Sequence, residues 1–188
     1  MEHYLYPGML FADPSPHRVT TVLGSCIAVC LFDPVRRIGG INHYMLPLWN
    51  GEGLQTPRYG NVAIDSLIDR LQGLGCQVSR LQAKLFGGAA MWESRQNSAS
   101  IGEKNIELAW RMLDQYGIHV VASDLGGGVS RKIVFSSGTG EVLLKRQIAA
   151  AHTWATSSSR AESAGGTLFG SQLQSPDMSS GAPISSGK

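Results

Sequence analysis

Residues 26–32 (CIAVCLF) are apolar without a break, and 38–45 carry almost no charge; short runs of this kind bounded by turn residues predict buried strands. Shorter β-branched or alternating runs predict further strands over 81–86, 118–123, 132–136 and 141–145. Between them the period changes to that of a helix. Ile64, Leu67, Ile68, Leu71 and Leu74 fall at i, i+3, i+4 spacing, and Gly75 is placed to stop that helix. A second helix opens on Ser100 and Glu103, the spacing of a capping box. Its expected buried stripe is Ile106, Ala109, Trp110 and Leu113, with Gly117 as its stop. Ser137, Gly138, Thr139 and Gly140 predict a hairpin between the last two strands, and 33–36 (DPVR) predict a turn joining the first two. If those first two strands pair, Cys26 and His43 come close in space. The alternation of strand and helix predicts a mixed α/β domain.

A chain of 188 residues with 43% hydrophobic content supports one sizeable core and not two. Sixteen basic against fourteen acidic residues leave a net charge of +2, too little to argue for nucleic acid or an anionic membrane as partner. No apolar stretch reaches the roughly 20 residues of a spanning helix. The start of the chain carries no secretory pattern, and three cysteines are an odd number. Together these predict a cytoplasmic protein with free thiols and no membrane insertion. After residue 148 the chain turns rich in Ser, Gly and Ala. Residues 1–148 are therefore expected to fold, and 149–188 to form a disordered tail that buries too little to offset its ordering entropy.

Cys26 follows Leu23, Gly24 and Ser25 at the start of an apolar strand, where the glycine allows a sharp turn that leaves the thiol at an element end. A free thiol of pKa about 8.5 needs a neighbouring imidazole to act as a nucleophile, and His43 is the candidate. Residue pattern alone favours a buried packing role for most cysteines, including Cys30 and Cys76. A zinc site drawn from Cys26, Cys30, His43 and Cys76 or His119 lacks any compact ligand spacing. His3 and His17 read as exposed. The glycine clusters at 87–88 and 126–128 lack the phosphate-loop pattern, so nucleotide binding is disfavoured.

Six blocks, in this order and spacing, carry a more specific signal: TTVLGSC at 20–26, GGINHYMLP at 39–47, FGGAAM at 86–91, IGEKN at 101–105, DLGG at 124–127 and TGEVLLKR at 139–146. Together they resemble the CheD family of chemoreceptor glutamine deamidases over about residues 5–148. The resemblance implies a compact single-domain α/β sandwich similar to the catalytic domain of cytotoxic necrotizing factor toxins. It implies a cysteine hydrolase that converts selected glutamines of methyl-accepting chemotaxis receptors to glutamates, releasing ammonia, with no metal or organic cofactor. By the same resemblance Cys26 is the nucleophile, His43 the base, and Thr20 the third catalytic residue, with Thr21 adjacent to it. A CheC-type phosphatase is a further implied partner; the alternative function is a non-catalytic module that binds and regulates such a phosphatase. A small-molecule amidase is disfavoured by the resemblance. Without a heptad seam in the sequence, a monomer is expected.

Overall fold

The computed structural model describes residues 1–90 and 99–147. Met91 of the third block, and the tail expected from residue 149 onward, lie outside the described residues. Strands β1 (Glu2–Tyr4), β3 (Arg18–Leu23), β8 (Ser130–Ser136) and β9 (Val142–Gln147) form a four-stranded sheet in the order β1-β3-β8-β9. A five-stranded sheet runs β2-β5-β4-β6-β7, from β2 (Met9–Ala12), β5 (Ile38–His43), β4 (Ile27–Asp33), β6 (Gln82–Gly87) and β7 (His119–Leu125). Helices α1 (Gly60–Gly73) and α2 (Ile101–Gln115) lie against the five-stranded sheet on its other side. The mixed α/β expectation is met, as three layers: sheet, sheet and helices.

The central strand β4 explains the unbroken apolar run. Ile27, Val29 and Leu31 point into the core shared with the helices, while Ala28 and Cys30 point into the core between the sheets. A strand buried on both faces has no reason to alternate polarity. The four-stranded sheet alternates instead, burying Val19 and Leu23 of β3 and Ile133 and Phe135 of β8 while their neighbours face outward. In β5, Gly39 and Gly40 let both layers approach closely: a Cβ on the first would lie 2.8 Å from the Phe135 ring, and on the second 2.7 Å from Leu67.

Helix α1 has no side-chain cap, so its buried Ile64, Leu67, Ile68 and Leu71 hold it, each worth about 1.5–3 kcal/mol. Helix α2 has the expected box: Ser100 Oγ accepts from Glu103 N at 3.1 Å, and Glu103 Oε2 accepts from Ser100 N at 2.8 Å. Its stripe differs from the one read in sequence. Trp110 is 42% exposed, and the buried face runs through Gly102, Asn105, Leu108, Ala109, Met112 and Leu113. Counting only apolar side chains rotated the face, because the helix buries the polar Asn105 at its centre.

The β8–β9 hairpin forms, as does the turn after β4, where Asp33 Oδ1 accepts from the N–H groups of Val35 and Arg36 at 2.9 and 3.1 Å. Strands β1, β2 and β3 were not foreseen; β1 is wholly exposed, and β3 interleaves Arg18, Thr20 and Thr21 with its apolar positions. His17 is half-buried rather than exposed, with its ring 5.0 Å from that of Phe11.

Candidate active site

Strands β3 and β4 are consecutive yet belong to different sheets, so residues 24–26 must carry the chain across the sandwich. Gly24, Ser25 and Cys26 do this in a half-exposed bend. Their carbonyls are held from behind: Ala89 N donates to Gly24 O at 2.8 Å and Gly88 N to Cys26 O at 2.9 Å. Asn105 Nδ2, from α2, donates to Ser25 O at 3.1 Å and to Met45 O at 2.9 Å. Tyr44 ties in the same helix, its hydroxyl donating to Asn105 O at 2.6 Å. Gly87 closes the arrangement with φ +113°, and a Cβ there would sit 2.1 Å from Cys26 O. Gly87→Ala is therefore expected to displace this bend and to lower the melting temperature markedly, since neither the φ nor the space tolerates a side chain. A calorimetric trace matching wild type would contradict it.

Register places His43 beside Cys26. Cys30 pairs with Ile41, and Ile27 with Tyr44, so His43 stands opposite Ala28 and Cys26 opposite Met45. Cys26 and His43 thus share the face toward the four-stranded sheet as a diagonal cross-strand pair, a relation that spans about 7–8 Å between Cα atoms. The β4–β5 ladder is interrupted at this level, where Val29 N bonds Asn42 Oδ1 at 3.0 Å.

The partner of the imidazole comes from the opposite sheet, and it is Thr21, not Thr20. Thr21 is fully buried, and its Oγ1 lies 2.8 Å from His43 Nδ1. Thr20 sits one position away on β3 and shares the outer parity of the exposed Arg18 and Val22. That parity was a readable signal, for Val19, Thr21 and Leu23 are the alternate set. Thr21 also donates its hydroxyl proton to Leu5 O at 2.8 Å. A hydroxyl has one proton, so toward His43 the Thr21 oxygen accepts, and Nδ1 carries the hydrogen. Nε2 is left with its lone pair and, among the described residues, no hydrogen-bond partner.

Electrostatics keep both groups neutral. Burial raises the Cys26 thiol above its ordinary value, with its own backbone N–H acting the other way. Burial pulls His43 from 6.5 down to about 4. The unfolded chain therefore takes up this proton first as pH falls. The stabilisation is complete above about pH 6.5 and is lost progressively toward pH 4. The melting temperature should fall across that window, and fall less in His43→Gln; equal slopes in the two proteins would rule His43 out as the titrating group.

Cys30 and Cys76 are buried free thiols, as their packing role requires. Among the described residues no cluster of His, Cys, Asp or Glu could hold a metal ion. The residues missed in the sequence are Asn42, the Leu5 carbonyl and Asn105, while Thr21 stands there only as the neighbour of Thr20. Both asparagines lay inside the family blocks.

The chain matches the family model described as CheD chemotactic sensory transduction over residues 45–146. Proteins named probable chemoreceptor glutamine deamidase CheD are similar over more of it. The one from Trichlorobacter lovleyi is 49% identical over 145 residues, covering 77% of this chain and 90% of the relative. That from Sulfurimonas denitrificans is 49% identical over 143 residues, covering 76% and 92%. That from Vibrio vulnificus is 41% identical over 150 residues, covering 74% and 69%. Matches of this extent place the protein in the CheD family.

Proposed function

We propose that this chain is a protein-glutamine deamidase acting on chemoreceptors, with Cys26 as nucleophile, His43 as general base and acid, and Thr21 as the residue that orients His43. The observation that carries this reading is the hydrogen-bond relay from His43 Nδ1 through Thr21 to Leu5 O, which leaves an unprotonated Nε2 on the face it shares with Cys26. In the reaction, Nε2 takes the Cys26 proton as sulfur attacks the side-chain carboxamide carbon. Backbone N–H groups at Ser25 and Cys26 stabilise the oxyanion. The tetrahedral adduct collapses, the C–N bond breaks, and His43 returns the proton to the leaving ammonia. Water, deprotonated by His43, then hydrolyses the thioester to give glutamate and free thiol. A neutral thiol and imidazole in the resting site suit this sequence, because the proton moves only as substrate is attacked.

The same proposal includes distant kinship with the necrotizing-factor toxin domain, supported by a loop cysteine and a strand histidine meeting between two layers. It also includes action in the cytoplasm as a monomer, and a CheC-type phosphatase as second partner. No helix among the described residues is long and apolar enough to cross a membrane. Incubation with a receptor cytoplasmic fragment, followed by peptide mass spectrometry, tests the proposal. A gain of about 1 Da at particular glutamines, the mass change of amide hydrolysis, is expected; no gain on a cognate receptor would overturn it.

A further inference from the structure

One face of the four-stranded sheet packs on the catalytic layer, while the other is open among the described residues. Register sorts that open face into rows. At the end far from Cys26, Glu2 stands opposite Arg18 and pairs with it at 3.3 Å. The next row runs Tyr4, Thr20, Val134, Leu143, and its outermost members are 47% and 62% exposed. Toward the nucleophile, the next row runs Val22, Lys132, Lys145, with Val22 38% exposed and both lysines exposed, and beyond it, among the described residues, stands only the uncharged pair Ser130 and Gln147. Lys132 and Lys145 are direct cross-strand neighbours, a like-charge placement that costs stability. No carboxylate among the described residues forms an ion pair with either; Asp124 is taken by Arg131 and Arg146. The face thus grades from charge-balanced, through apolar, to unbalanced basic, and Val22, the β3 member of the basic row, lies two residues before the bend at 24–26.

We propose that this face docks the substrate protein, apolar side chains resting on Tyr4 and Leu143 and carboxylates near the target glutamine meeting Lys132 and Lys145. The inference rests on the deamidase reading and names the chemistry of its substrate: a segment with acidic and apolar residues beside the modified glutamine. Charge complementarity selects this occupant, since an acidic segment relieves the lysine repulsion that the free protein bears.

The test compares wild type, Lys132→Glu/Lys145→Glu and Leu143→Asp in the full chain. It measures deamidation of a receptor cytoplasmic fragment at several ionic strengths and, separately, alkylation of Cys26 by iodoacetamide. The double reversal is expected to lower kcat/KM at least about tenfold, mainly through KM, and to remove its salt dependence. Leu143→Asp is expected to raise KM without touching salt dependence. Cys26 alkylation should stay at wild-type rate in both. Wild-type kcat/KM in both variants, with the parent active, would overturn the docking face alone, as would equal loss of deamidation and alkylation. A parent protein inactive on the receptor would overturn the deamidase reading and this inference with it.

Discussion

Replacing Cys26 with alanine will stop receptor deamidation, lowering kcat by on the order of 10⁴-fold or more, while the protein stays folded. The size follows from chemistry: Cys30, the other thiol on that face, is sealed in the inter-sheet core, and His43 alone would have to drive water onto a stable carboxamide. The small structural effect follows from position. Cys26 is half-exposed in a bend whose carbonyls, not its side chain, make the tying hydrogen bonds. Losing one partly exposed sulfur should cost under about 1 kcal/mol. Cys30→Ala is the informative contrast, because Cys30 is buried between the sheets at 1% exposure. It should lower stability by about 1 kcal/mol and leave turnover intact. Mass spectrometry of the receptor fragment and thermal denaturation read both proteins. A Cys26→Ala enzyme that still deamidates, or a folded but inactive Cys30→Ala enzyme, would move the nucleophile.

Thr21→Val should lower kcat about 10²–10³-fold with little change in KM, whereas Thr20→Val should stay within about twofold of wild type. Valine keeps the shape of threonine but can neither accept from Nδ1–H nor donate to Leu5 O. The imidazole then loses the contact that fixes its tautomer, and two buried polar groups lose their partner. Thr21→Ser, which restores the hydroxyl, should recover most of the rate. Nitrogen chemical shifts of His43 give a readout that simple destabilisation would not move: wild type and Thr21→Ser should show Nδ1 protonated, and Thr21→Val a mixture of tautomers. A single Nδ1–H tautomer in all three would remove Thr21 from its orienting role, and a large loss in Thr20→Val would return that role to Thr20.

The strand–helix alternation was readable because the layers differ in burial, and burial writes period into sequence. The apolar run of β4 and the capping box of α2 announced their elements directly. The site was half-readable. Cys26 and His43 stand in motif blocks whose chemistry is visible, but the third residue depends on which of two adjacent threonines faces inward. That is decided by the parity of β3, a strand not foreseen because threonine and arginine dilute its apolar positions. Asn105 escapes for the opposite reason: a polar residue in a buried stripe is invisible to apolar spacing, which selects Trp110 instead. The Leu5 carbonyl has no side-chain signature at all.

The bend at residues 24–26 crosses between layers, and Thr21 reaches His43 from the sheet that does not carry it. Activity is thereby a gauge of how the two sheets are stacked, separate from the health of the helical layer. In a denaturant series the catalytic signal should fade with the inter-sheet core, where Leu23, Ile41 and Phe135 meet, and any intermediate that keeps α1 and α2 on their own sheet would look largely folded by helix content yet turn over nothing.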